Sequence, residues 1–283
     1  MQTFRLRETV QSATVEVDDE EIEQLESTLT DSVIAMVLKL SDATFRPFFV
    51  QLVDQEGPLS TKPQRAITFY KFLAAFFDKF KVCNNLYSDN RLSLTYMQSL
   101  VTSYSSYIIE HAAKMLTELA KDDSEVETRS AVLAALQKTF QHDQDGFWQA
   151  PSHFGTIMPP LLSLLNLPSA STSTPENNTN NVIPTITELA VASASSMENH
   201  REMNSILLKN MRSEDRNTRL ATVLCEQSLT RRLGEEWLGL LPEMLPFISE
   251  LMEDDDEIVE RECQRWKNGM EEILGESLEG MLR

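Results

Sequence analysis

The chain is short of glycine, cysteine, histidine and long apolar runs, and each shortage removes a class of protein. Eight glycines in 283 residues argue against β-rich folds, whose tight turns need positive φ. They also leave no GxGxxG, GxxxxGK[ST] or GxSxG to cradle a phosphate or carry a nucleophile. The three cysteines, Cys83, Cys225 and Cys263, lie far apart and form no CxxC. That is the pattern of reduced thiols in the cytosol or nucleus rather than of a disulfide framework. His111, His142, His153 and His200 make no HExxH and sit beside no cysteine at ligand spacing, so no metal site is expected. The stretch Gln141 to Ser152 places Gly146 where a calcium loop needs glycine. It offers Gln141 and Ser152 at the first and twelfth ligand positions, neither a carboxylate. No apolar run reaches the ~18 residues of a membrane span, and no basic-then-apolar leader opens the chain. A soluble, intracellular protein without membrane association is expected. The carboxylates fall in solvated runs rather than in a glycine-framed pocket. No catalytic, cofactor-binding or metal-ligating residue is assigned, and neither an enzyme nor a small-molecule substrate is expected.

Basic residues are also scarce, and unevenly so. The net charge is −19, but residues 1–31 hold nine acids against Arg5 and Arg7, a net of −7. Residues 235–283 hold fifteen acids against four bases, a net of −11, whereas 32–234 are near neutral at −1. Both ends should repel a nucleic-acid backbone, while the middle tolerates one. Arg201, Lys209, Arg212, Arg216, Arg219, Arg231 and Arg232 form a candidate RNA-facing ridge there. The plainer reading is of ordinary exposed positions, several paired with nearby acids.

What is abundant is helix. Leu, Glu, Ala and Met fill most segments. Residues 1–31 read as an acidic, partly helical lead-in. Val33, Met36, Val37 and Leu40 then recur at helical steps within a helix from Ser32 to Leu40. A second helix starts at Thr44 with Pro47 in its first turn, and Gly57-Pro58 ends it. Thr61 caps a third, which carries Phe69, Phe72, Leu73, Phe76, Phe77 and Phe80 as a core stripe. Leu94 to Leu119 continues the pattern. Three segments then align: Asp123 with Thr128, Arg129 and Val132; Ser213 with Thr218, Arg219 and Thr222; Asp254 with Val259, Glu260 and Cys263. Their offsets fit a unit of ~40–47 residues. In each, a small polar residue closes a turn and the residue five places on enters the core. Residues 240–274 form the last helix pair, with an acidic turn at Glu253–Glu257 and Gly275 as the stop. The expected fold is all-α, an α-solenoid of irregular HEAT-like antiparallel helix pairs over 32–283, interrupted by a flexible polar insertion at 166–181.

Three segments carry a resemblance. They are TFRPFFVQLVD (44–54) with RAITFY (65–70); FQHDQDGFW (140–148) leading to MPPL (158–161); and LLPEMLPFI (240–248) with ILGE (273–276). Together they resemble the C-terminal region of the U3 small-nucleolar-RNA-associated protein 10 family, the large HEAT-repeat subunit of the small-subunit processome. Where that family continues the first motif with Trp, Gln55 stands here. Family members are several times longer, so this chain looks like a C-terminal portion. The resemblance implies a nucleolar, non-catalytic scaffold that docks other processome subunits in early pre-rRNA processing to 18S rRNA, with a link to RNA polymerase I transcription. It implies contact with pre-rRNA and the U3 snoRNP indirectly or through a local basic patch. A direct pre-rRNA-binding module is the alternative, followed by an unrelated HEAT adaptor of the nuclear-transport or phosphatase-assembly kind.

Overall fold

A computed structural model describes residues 6–12, 18–56, 63–86, 91–143, 145–168, 170 and 181–282. Among these there are thirteen α-helices, three-residue 3-10 turns at Phe147–Gln149 and Leu164–Asn166, and no strand. The all-α expectation holds. Contacts divide the chain into two compact units, residues 1–115 with 125–145, and residues 116–124 with 146–283.

The first unit holds α1 (Leu6–Ser12), α2 (Asp19–Val37), α3 (Asp42–Glu56), α4 (Pro63–Leu86), most of α5 (Arg91–Leu119) and α6 (Val126–Gln141). Its core is aromatic. Phe45 and Phe49 of α3 meet Phe76 of α4 and Tyr104 of α5, with ring centroids 4.6–6.1 Å apart. Such tilted and edge-on pairs add to what burial alone contributes. Phe69, Phe72, Leu73, Phe76 and Phe77 are all buried as the stripe requires. The side chain of Phe80, the cap at Thr61, the break at Gly57-Pro58 and the side chains at Leu94, Met97 and Leu100 lie outside the described residues.

Two readings of this unit change. α2 runs unbroken from Asp19, capped by the Asp18 carboxylate accepting from the Glu20 N–H, so no helix begins at Ser32 and the 31/32 boundary falls inside an element. Nor is the lead-in merely solvated. Arg7 of α1 is buried and donates from Nε and Nη2 to both oxygens of buried Glu26, at 3.0 and 2.9 Å. Thr68 of α4 also donates to Glu26, and Arg7 reaches Glu127 of α6. A carboxylate survives burial only with charge-assisted partners of this kind. α3 likewise starts at Asp42, which puts Pro47 beyond its first turn. Ala43 and Pro47 are exposed, so water can serve the carbonyl that the proline ring leaves without a donor.

The second unit is a two-layer stack. α7 (Pro151–Ser163), α9 (Met197–Asn210) and α12 (Leu241–Leu251) form one layer; α8 (Val182–Ala192), α10 (Arg216–Leu233) and α13 (Glu257–Leu274) form the other. A short α11 (Glu235–Leu238) precedes α12. Turns at 211–215 and 252–256 join α9 to α10 and α12 to α13. Connections that short return the chain on itself, as helix hairpins do. The expected register is observed. Thr128, Thr218 and Val259 are buried, and so are Val132, Thr222 and Cys263 one helical turn later. The polar residues at 213 and 254 close the turns as expected, and the helix caps lie two residues after them. Asp215 accepts from the Thr218 N–H at 2.9 Å, and Asp256 from those of Ile258 and Val259. Ser213 and Asp254 instead accept from the N–H groups of Asp215 and Asp256, holding each capping residue in place. Gly275 ends α13 at φ 72°.

Gly146 (φ 71°) turns the chain into Phe147-Trp148, which plug this unit. The two rings meet edge-on at 4.9 Å. His153 stacks on Phe147 and shares a 2.9 Å hydrogen bond with its carbonyl. Asn199 of α9 donates to the Gln149 carbonyl. Most of the expected insertion, residues 169 and 171–180, lies outside the described residues. Its opening does not behave as free loop, because Leu167 and Ala170 are buried.

Candidate interaction surface

The seven cations of the candidate ridge sit on α9 and α10, but most face acids of the neighbouring helices. Arg201 donates to Glu243 at 3.1 Å. Arg212 donates to Glu250 at 2.7 Å while its guanidinium lies 4.2 Å above the Phe247 ring. Arg216 meets Asp256 at 2.8 Å. Arg219 grips both oxygens of Asp254 at 2.8 Å, reaches Asp255 at 2.7 Å, and donates from Nη1 to the Ser213 carbonyl. Arg232 stands 4.0 Å from Glu188 of α8. Among the described residues, only Lys209 and Arg231 of the seven have no acidic partner within 4 Å. The basic face of one helix pair and the acidic face of the next are therefore a matched ladder, and they neutralise each other.

The ladder explains the local titration. Burial pushes Asp254 up, yet Arg219 and the Asp256 N–H outweigh it and hold the carboxyl below its ordinary range. The hydrogen bond from Arg212 lowers Glu250 in the same sense. Such charges are committed to holding helix pairs together.

A second polar cluster is hidden inside. Glu226 of α10 is fully buried and accepts from the Trp237 indole N–H at 2.8 Å through one oxygen only. His200 of α9 meets Trp237 edge-on at 5.4 Å and bonds the Ala190 carbonyl through Nε2. Among the described residues, Glu226 Oε1, His200 Nδ1 and both amide atoms of Asn204 are buried without a protein partner. Burial pushes the Glu226 carboxyl up to about 8. Apolar periodicity gave no hint of this cluster, because it scores buried polar positions as interruptions.

Two grooves flank α10 on the second layer. One, of ≈ 530 Å³, runs between α10 and α13, with Thr230 and Arg231 on one wall and Trp266, Gly269, Glu272 and Ile273 on the other. The second, of ≈ 270 Å³, lies towards α8 and shares Arg231. Neither brings a nucleophile to a base. Among the described residues no group of three His, Cys, Asp or Glu could hold a metal ion, and no helix is long and apolar enough to cross a membrane. Cys225 and Cys263 are buried free thiols.

The BP28CT (NUC211) domain model matches residues 1–96 and 91–148, which is more than half of the chain. This chain belongs to the BP28CT (NUC211) family. The match to the family domain takes in the aromatic unit and ends on Trp148. Similarity to curated relatives extends over the rest. The U3 small nucleolar RNA-associated protein 10 of Phaeosphaeria nodorum is 59% identical over 268 residues, 95% of this chain. The proteins of that name from Neurospora crassa and Coccidioides immitis are 46% and 45% identical over 93% and 94% of it. The chain spans 14% of the length of each of these relatives.

Proposed function

We propose that this BP28CT chain is a non-catalytic docking segment of the small-subunit processome, acting with the U3 snoRNP in early pre-rRNA processing in the nucleolus. The observation that carries the reading is the 59% identity to a relative named as U3 small nucleolar RNA-associated, sustained over 268 residues. A helical stack with two grooves on one layer supports it, since stacked helix pairs present broad surfaces suited to protein partners. Its partners are other U3-associated protein subunits, and pre-rRNA is reached through them. Coupling to RNA polymerase I transcription belongs to the same proposal, as does a solenoid interrupted by polar chain near 166–181.

Direct pre-rRNA binding through the α9–α10 cations is the weaker reading. Five of those seven residues already face acids. Phosphate would have to displace partners held at close range. The test is affinity purification of the tagged full chain from cells at low salt. Recovery of U3 snoRNA together with U3-associated proteins is expected. A chain recovered without either overturns the proposal.

A further inference from the structure

We propose that the groove between α10 and α13 is a peptide-docking site, selective for an apolar side chain flanked by one acidic and one basic residue. The inference rests on the scaffold reading and says where and what such a scaffold would hold.

Gly269 shapes the groove. It lies in the interior of an 18-residue helix, where glycine costs about 1 kcal/mol relative to alanine. It is not at positive φ, and a Cβ built there would meet nothing within 4 Å among the described residues. Neither backbone conformation nor a close approach requires glycine at this place. What it does is keep the groove open beside Ile273 and the edge of Trp266. The Trp266 indole N–H donates a 2.8 Å hydrogen bond to Thr230 across the two helices, which fixes its orientation below the groove. A volume of ≈ 530 Å³ falls within the range of sites that bury most of a small ligand.

Charge then names the occupant. Within the groove, Glu262 is committed to Arg265 at 2.7 Å. Arg231 on the α10 wall and Glu272 on the α13 wall are exposed, and neither has an opposite charge within 4 Å among the described residues. They are opposite in sign, on opposite walls, and not paired with each other. An occupant with an acid for Arg231 and a base for Glu272, and an apolar side chain over Gly269 between them, complements all three. A nucleic acid complements only Arg231. Its phosphates meet Glu272 and a segment of net charge −11, and Trp266, 1% exposed, offers no face for a base to stack on.

The test uses the full chain and fluorescein-labelled ten-residue peptides. Each carries one leucine with Asp on one side and Lys on the other, in both orders and at several spacings. Binding by peptides with both charges is expected, falling about tenfold or more when either charge is replaced by alanine. Gly269→Leu fills the groove from a helix position with free space above it. It should abolish binding while the melting temperature stays equal or rises. Arg231→Glu should move the preference to peptides carrying Lys in place of Asp. No binding by any of these peptides overturns the proposal. So does binding indifferent to Gly269→Leu, or a labelled oligouridine that binds here in their place. Self-association of the chain that Gly269→Leu abolishes would assign the groove to a second copy and also overturn it. If the peptides fail while the Gly269→Leu chain still recovers U3-associated proteins, the groove falls and the scaffold reading stands.

Discussion

At the scale of single residues, the second unit keeps a carboxyl where a carboxylate is costly. Glu226 has one oxygen bonded to Trp237 and the other without a protein partner among the described residues. Its folded pKa, pushed up to about 8 by burial, lies above that of an unfolded glutamate. The native state therefore binds the extra proton, and its contribution to stability is fully present only at acid pH. That contribution drains away as pH rises from the unfolded value through the folded one, by up to about 1.4 kcal/mol per pH unit. Thermal melts of wild type and Glu226→Gln between pH 5 and 9 should show wild type losing ground to the variant as pH rises. A constant difference between them would refute the assignment. In the first unit the buried acid, Glu26, has a guanidinium against it. Glu26→Ala takes the principal partner from the Arg7 guanidinium and leaves it Glu127 and Glu23, so a loss of about 1–3 kcal/mol is expected. Chemical denaturation should register it as a lower midpoint, and Glu23→Ala, an exposed neighbour of the same network, should cost far less.

At the scale of elements, the α9–α10 and α12–α13 hairpins are each closed by an aspartate cap and tied together by the ladder. Asp256→Ala removes the acceptor for two backbone N–H groups at the start of α13, and a loss of about 1 kcal/mol is expected by denaturant titration. Arg219→Ala should cost more, roughly 2–4 kcal/mol, because Asp254 is then left buried without its main partner. The exchange Arg219→Asp with Asp254→Arg should recover part of that loss if the pair is what matters.

The same elements show what was legible in the sequence. Spacing alone found the turn-and-core register of 128, 218 and 259, because a residue five places past the turn must face inward whatever its chemistry. It placed Ser213 and Asp254 in the turns and left the caps themselves unassigned, since Ser213 and Asp254 are as good capping types as the aspartates that follow them. It started α2 too late because acids were read as solvent-facing, and Glu26 is an acid that faces in. The ladder could be anticipated only as pairing in general. Which arginine meets which carboxylate is decided by stacking across 35 or more residues, and no local pattern encodes that.

At the scale of the whole molecule, the cations of the second unit are matched to acids of neighbouring helices and turns. What remains for partners is groove and surplus acid rather than a basic field, at a net charge of −19. That is why a protein-docking role follows more readily than an RNA-binding one, even though the relatives carry an RNA in their name. The most direct test is gradient sedimentation of extracts carrying the tagged full chain, before and after ribonuclease and at rising salt. The chain should stay with U3-associated proteins after the RNA is digested, and the association should weaken with salt far less steeply than a phosphate contact would. Release of the chain by ribonuclease, with binding that weakens steeply as salt rises, would contradict the protein-docking role.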